Sequence, residues 1–357
     1  MLPPVLINGS FLIPQPTGIS AYTLNLLPSL SSLKPTLLTS QPIPPYHCYQ
    51  IRDRLNPDYG TIAHFRRLLW TQQQLPKIYQ RLKAQLLFSP IPEAPLYSQC
   101  RYIVTVHDLI PLRYPKRFSP LIPYFRFYVP QVLHQAQHII CNSQATADDI
   151  IHFWQIPAHK ITPIPLGYNQ TLFYPSSQQR DGQYFLHIGR PDPHKNVGRL
   201  IDAFAQIPDT NYQLWLIGPP DSRYTPKLQQ KATELGLRDR VHFLNYISHS
   251  QLPEIIRGAT ALVFPSLWEG FGLPVLEAMG CGTPVITSNC ASLPEVAGDA
   301  AILVNPTNTE EMANAMITLA NNSDLRQKLR EWGLKRASQF SWEKTGSATV
   351  KILKQFL

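Results

Sequence analysis

Residues 261–289 read ALVFPSLWEGFGLPVLEAMGCGTPVITSN. An apolar run (261–266) leads into a glycine-rich turn, a short helical pattern and a second apolar run (284–289). Neither run shows the polar alternation of a half-exposed strand, so the stretch reads as a βαβ unit of a buried parallel sheet. Pro274 suits the first turn of the helix, where a missing N–H costs little, and Gly280 and Gly282 end it. Gly270 and Gly272 allow a tight turn just upstream. Free N–H groups and the positive end of the helix dipole project from that turn, which makes it an anion site. Two carboxylates flank it, Glu269 before the helix and Glu277 one turn inside. They cannot both rest on one phosphate. An elongated ligand, with hydroxyls at both ends and an anion between, satisfies both, and a nucleotide sugar has that layout. For the two glutamates taken alone, the simpler reading is a helix cap at Glu269 and a surface residue at Glu277.

Outward from this stretch the same grammar repeats. Strands are predicted in the first half at 5–9, 35–40, 85–90, 102–108, 138–143 and 161–167, and in the second at 184–190, 212–218, 241–246, 261–266 and 284–289, with a last one at 301–306. Helical patterns such as NVGRLIDAFAQI (196–207) and PKLQQKATELGL (226–237) fall between them. The fold class is therefore α/β, with two Rossmann-like, doubly wound domains in series, 1–167 and 168–340. The polar, turn-rich stretch 165–183 reads as their linker, and the tail breaks near Phe340–Trp342 into a last helix, 341–357, expected to return to the first domain. Ligands of such sheets bind beyond the carboxyl ends of the strands, so a cleft between the two sheets is the expected site.

Composition narrows the classes. The chain has 357 residues and 35 prolines, about double the usual share of about 5%, placed at loops and helix starts. Five scattered cysteines without a C-x-x-C pair argue against a disulfide framework or a zinc site and fit a reducing, cytoplasmic setting. No basic leader precedes an apolar run at the start, and no run reaches the roughly 18 residues of a membrane span. The net charge of +9 is uneven: residues 1–167 hold 14 Lys+Arg against 6 Asp+Glu, and residues 168–357 hold 18 against 17. A basic half faces nucleic acid, an anionic membrane or a phosphorylated substrate, or is simply a solvated basic surface. No nucleic-acid motif is present, and the absence of G-x-G-x-x-G argues against a dinucleotide dehydrogenase. Arg190 and Lys195, in IGRPDPHKN, follow a strand and are well placed for a diphosphate, or are surface charges. Gly18 follows the first strand and precedes a helix, where glycine admits a phosphate closely or merely turns the chain. His107 ends a strand and is followed by Asp108, a structural pair or an orienting one.

The stretch EGFGLPVLEAMGCGTPVI resembles the signature of the retaining glycosyltransferases of family 4, which have the two-domain GT-B fold. The resemblance extends through TGISAYTLNLL, VTVHDLIPLRYP, HIGRPDPHKNVGRLIDAF, LGLRDRVHFLNYIS, ALVFPS, LPEVAGDAAILVNP and FSWEK, most of the chain. It implies an acceptor-side first domain and a second domain that binds the nucleotide sugar. It implies that Arg190 and Lys195 hold the donor diphosphate, with Gly18 and Gly218 near the nucleotide and Glu277 on the ribose hydroxyls. Glu269, with the amides around Phe271, Gly272 and Leu273, would bind the transferred sugar. His107 would lie beside that sugar, contacting a hydroxyl, with Asp108 orienting it; it is not expected to be a general base. The family often carries two glycines where this chain has Thr17–Gly18, which bears on the phosphate contact there.

No D-x-D triplet occurs, so the two basic side chains and the helix tip are expected to replace a divalent metal, with neither metal nor cofactor required. The implied reaction is transfer of a hexose to a hydroxyl with retention at the anomeric carbon. The likeness to mannosyltransferases favours GDP-mannose over UDP-glucose, and polysaccharide biosynthesis as the setting. Basic and aromatic residues mix at 62–87 (Arg66, Arg67, Lys77, Arg81, Lys83) and 117–133 (Arg117, Arg126). They suit docking on an anionic inner membrane face, with a glycan or lipid-linked glycan as acceptor, or are solvated charges on packed helices. The rival functions are a nucleotide-sugar epimerase or a phosphorylase of the same fold, and a non-enzymatic sugar-binding protein.

Overall fold

The computed structural model describes residues 5–15, 18–116, 119, 121–176, 182–245, 247–248 and 250–357; Thr17, Arg117 and residues 177–181 of the expected linker lie outside them. The chain divides into two compact units: one runs to Gly167 and resumes at Trp342–Leu357, and the other is Tyr168–Ser341.

Among the described residues, the first unit holds β1 (Val5–Asn8), β2 (Thr36–Thr39), β3 (Cys48–Gln50), β4 (Leu86–Ser89), β5 (Tyr102–Val106), β6 (His138–Cys141) and β7 (Ile161–Pro163). They form one sheet in the order β3-β2-β1-β4-β5-β6-β7, parallel throughout. The second unit holds β8 (Tyr184–Ile188), β9 (Gln213–Ile217), β10 (Val241–Leu244), β11 (Ala261–Phe264), β12 (Val285–Ser288) and β13 (Ile302–Val304). Their order is β10-β9-β8-β11-β12-β13, again all parallel. Both are doubly wound α/β sheets. The winding reverses between β1 and β4 in the first and between β8 and β11 in the second. Loops leaving adjacent strands at such a reversal turn to opposite faces and open a crevice at the carboxyl edge.

Each apolar run read from the sequence contains one of these strands. The exception in the other direction is β3, which was not foreseen. It is a three-residue edge strand, half-exposed, so it carries no apolar run. The central strands are buried on both faces, Val5–Ile7 and Leu86–Phe88 among them, because helices cover both sides. The helix Val197–Phe204 buries Val197, Leu200, Ile201 and Phe204, one stripe at the 3.6-residue period.

The expected linker is not a free connection at its start. Tyr168 and Phe173 are buried, Gln170 Nε2 donates to the Phe340 carbonyl at 2.9 Å, and a Cβ on Gly280 would sit 2.4 Å from the Tyr168 ring. Two aromatic anchors in a polar stretch hold it to the second unit. At the other end the helix Ser323–Ala337 gives way to Trp342–Lys354, which belongs to the first unit; Thr345 Oγ1 there donates to the Pro165 carbonyl at 2.8 Å. All five cysteines are free, and among the described residues no helix is long and apolar enough to cross a membrane.

Candidate active site

The second unit gathers its functional side chains at the β8/β11 reversal. After β8 the chain passes Arg190, makes a short turn at Pro193–Lys195 and enters its helix through Asn196, whose φ of 61° is left-handed. Asn196 Nδ2 donates to the carbonyls of Pro265 and Pro306, at 3.1 and 2.6 Å. That buried amide ties the loop after β8 to the ends of β11 and β13. Lys195 is thereby aimed across the reversal, and its Nζ donates to Glu269 Oε1 at 2.6 Å, above the ring of Phe264. The two side chains remain 17% and 11% exposed, so the pair is sheltered but reachable.

Glu269 therefore does not cap the helix Leu273–Cys281; Gly272 holds the cap position and no side chain caps it. Gly272 has φ 110°, and a Cβ there would lie 2.7 Å from Leu293 Cδ2, so glycine is required twice over. Ser292, fully buried, places its Oγ 3.0 Å from the Glu269 carbonyl and 2.8 Å from that of Phe271. Because the peptide is planar and trans, the Phe271 carbonyl turned inward sends the N–H of Gly272 outward. The N–H groups of Phe271, Gly272 and Leu273 have no hydrogen-bond partner among the described residues. The Phe271 side chain is a core aromatic, edge-on to Phe340 at 6.1 Å, so only its backbone is offered to a ligand. Leu273 is half-buried. Glu277 is half-buried as well, with no hydrogen-bond or ionic partner among the described residues, and burial pushes its carboxyl up to about 8. It is not a plain surface residue.

Arg190 is exposed, with its guanidinium 3.7 Å from Asp221 Oδ2. Asp221 is itself gripped by Arg223, through Nε at 2.9 Å and through the second nitrogen at 2.5 Å. The sequence reading missed both Asp221 and Ser292. The only trace of Asp221 is an acidic residue soon after the Gly218 turn, and nothing in the sequence marks Ser292. A Cβ on Gly218 would lie 2.2 Å from the Gly189 carbonyl, so the end of β9 presses directly on the peptide before Arg190. Gly189, Gly218 and Asn245 line one pocket at the carboxyl ends of β8, β9 and β10.

In the first unit, Gly18 opens the helix Gly18–Leu30 with φ 49°, and among the described residues nothing lies within 4 Å of a Cβ built there; the left-handed backbone itself favours glycine. His107 is the first residue after β5. Its Nε2 lies 2.9 Å from the Pro90 carbonyl. A carbonyl only accepts, so Nε2 carries the hydrogen and Nδ1 is left as an acceptor. Burial lowers the imidazole to about 4, which keeps it neutral. Asp108 Oδ1 accepts from the Ile110 N–H at 3.0 Å, and the His107 ring is met by Pro90 and by Tyr22, whose centroid is 4.8 Å away.

Residues 16–172 match the family described as Glycosyltransferase Family 4, and residues 170–336 match Glycosyl transferases group 1. The O-antigen chain mannosyltransferase B of Escherichia coli is 30% identical over 71% of this chain and 70% of its own length. The O-antigen chain mannosyltransferase RfbU of Salmonella typhimurium is 33% identical over 60% of this chain and 59% of its own. Among solved structures, the sucrose-phosphate synthase of Thermosynechococcus elongatus superposes with a TM-score of 0.79 at 24% identity, covering 99% of this chain and 98% of that one. Anabaena HepE in complex with UDP-glucose superposes with a TM-score of 0.77 at 18% identity, covering 98% and 99%.

Proposed function

We propose a specific reaction for this chain, which belongs to the glycosyltransferases of family 4 with the GT-B fold: transfer of mannose from GDP-mannose to a hydroxyl of a glycan or lipid-linked glycan, with retention and without a metal. The observation that carries it is the Lys195–Glu269 pair at the β8/β11 reversal, beside a helix tip with free N–H groups. The mannosyltransferase relatives support the choice of sugar.

The diphosphate takes Lys195 from Glu269 and adds Arg190 and the N–H groups of Phe271, Gly272 and Leu273. Glu269, released, accepts hydroxyls of the sugar. Glu277 accepts from the ribose, which gives its unpaired carboxyl the donors it lacks. The bond from the anomeric carbon to the diphosphate oxygen breaks, the bond to the acceptor oxygen forms on the same face, and the acceptor proton passes to the departing phosphate oxygen. Lys195, Arg190 and the helix tip stabilise the charge that develops on the diphosphate, the role otherwise filled by a divalent cation. The family resemblance puts His107 beside the transferred sugar, where its Nδ1 accepts from a hydroxyl. A group held neutral down to about pH 4 is a poor general base, which leaves that proton to the phosphate.

The test is a thermal-shift panel of GDP-mannose, UDP-glucose and ADP-glucose with the full chain, coupled to turnover in EDTA. A donor at 100 times its Kd adds about 2.7 kcal/mol of stability. GDP-mannose is expected to give the largest shift, and turnover to survive the chelator. A larger shift from UDP-glucose would reassign the donor. Loss of turnover in EDTA, restored by manganese, would overturn metal independence.

One further observation favours a membrane-side acceptor. The helix Gly60–Gln73 buries Arg67 along with Ala63, Trp70 and Thr71, and turns Ile62, Phe65 and Leu69, 65%, 56% and 59% exposed, outward beside Arg66. The first unit carries 17 Lys+Arg against 7 Asp+Glu, while the second carries 15 against 16. An apolar stripe on a basic body suits the surface of an anionic bilayer. Flotation with phosphatidylglycerol vesicles is expected to carry the protein upward at low salt, and Phe65→Ser to weaken it. No flotation at low salt would end this reading.

A further inference from the structure

We propose that Tyr22 and Trp342 are positioning residues for His107, closing with Pro90 a clamp that fixes the orientation of the imidazole. The proposal rests on the reading above that His107 meets the transferred sugar. His107 stands on a loop, one residue beyond β5, and among the described residues its ring makes one hydrogen bond, from Nε2 to the Pro90 carbonyl. One hydrogen bond at one ring atom leaves the ring free to swing about that contact. A second, lateral support is needed to aim Nδ1 in a fixed direction.

Tyr22 supplies it. The side chain is buried on the helix Gly18–Leu30, and its ring meets the imidazole at 4.8 Å and 82°, the edge-to-face geometry aromatic pairs favour. Its hydroxyl lies 3.4 Å from Thr105 Oγ1, on the strand that delivers His107, so Tyr22 and His107 are referenced to the same element. Behind Tyr22 stands Trp342, with ring centroids 6.2 Å apart at 63°. Trp342 opens the helix Trp342–Lys354 and is the first residue of the chain to rejoin the first unit. Thr345, one turn on, anchors that helix to the Pro165 carbonyl. The aromatic wall behind the imidazole is therefore incomplete until the chain's last helix has docked. The imidazole beside this wall is half-buried, and desolvation holds it neutral.

The experiment pairs transfer kinetics with NMR titration of the His107 ring in the full-length protein, using Tyr22→Leu, Tyr22→Phe, Trp342→Ala and Trp342→Phe. Tyr22→Leu and Trp342→Ala are expected to lower kcat roughly tenfold with the donor KM within about twofold, since aim is lost and donor contacts are not. They are also expected to move the ring titration upward from about 4, toward that of a solvated histidine. The two phenylalanine variants, which keep a wall, are expected to restore both. General loosening of the fold would lower Tm without selectively moving the His107 titration. Unchanged titration and kcat in folded Tyr22→Leu and Trp342→Ala, or phenylalanine variants as impaired as these, would overturn the proposal. Should Tyr22→Leu not fold, the Trp342 pair gives the same reading. The titration needs no substrate, so an intact clamp on a protein without transfer activity would count against the transferase reading and not against the clamp.

Discussion

In each unit a basic side chain meets a sheltered glutamate, Arg67 with Glu93 and Lys195 with Glu269, and the two pairs are built differently. In the first unit Arg67 grips Glu93 with two nitrogens, each at 2.7 Å, gives a third contact to the Leu55 carbonyl at 3.1 Å, and is flanked by His64 at 2.9 Å. Both side chains are closed to water, at 8% and 2% exposure. In the second unit Lys195 meets Glu269 through one contact, at a crevice, with amides waiting beside it. A bidentate pair with its remaining donors satisfied has nothing left to offer a ligand. A single contact between a mobile ammonium and a carboxylate can be exchanged for a phosphate on one side and hydroxyls on the other. The difference separates a pair that holds a loop from a pair that is displaced in function.

That contrast is open to attack at both ends. Arg67→Ala leaves Glu93 buried without its cation, with His64 at 3.6 Å and the Tyr124 hydroxyl at 3.5 Å, and is expected to cost about 3–5 kcal/mol of stability, read by denaturant unfolding, with donor affinity of the folded protein unchanged. A loss below about 1 kcal/mol would mean that the closed pair is not structural. Lys195→Ala and Arg190→Ala are expected to reduce turnover on the order of 100-fold or more; Arg190→Ala is expected to leave stability nearly intact, because Arg223 still grips Asp221, and Lys195→Ala to cost more of it, because Glu269 is left largely buried. Near-normal turnover in either would remove that residue from the diphosphate. A further effect, read through pH, is at Glu277. Its carboxyl is raised in the fold to about 8, so between the unfolded value near about 4.3 and that value the folded state binds more protons than the unfolded one. Stability from this group is complete below the window and is lost as pH rises through it. Glu277→Gln is expected to flatten the decline in Tm from pH 5 to 8. Ribose hydroxyls favour the charged carboxylate, so donor binding at pH 7 is expected to release a proton, measurable by calorimetry in buffers of different ionisation enthalpy. An unchanged pH slope in the glutamine variant would show that Glu277 is not desolvated as described.

Much of this was legible in the sequence, for reasons that differ by residue. The sheet strands were readable because parallel strands buried on both faces are continuous apolar runs, and β3 escaped because an edge strand needs none. Glu269, Lys195 and the glycine turn were readable as a phosphate-and-hydroxyl pattern, yet their direct contact was not, since it joins loops 74 residues apart. Arg67 read as one more surface charge; only the fold shows it turned inward, with Ile62, Phe65 and Leu69 turned out. Ser292 and Tyr22 act through contacts that no local spacing encodes, and Asp221 reaches Arg190 from another loop. The aromatic anchors Tyr168 and Phe173 were hidden in a segment whose composition says linker.

The central claim is that Lys195 leaves Glu269 for the donor diphosphate. A crystal structure of the full chain with GDP-mannose measures it directly. Lys195 Nζ is expected on a phosphate oxygen and Glu269 on a sugar hydroxyl, with their 2.6 Å contact gone. A donor bound elsewhere, with that contact intact, would contradict it.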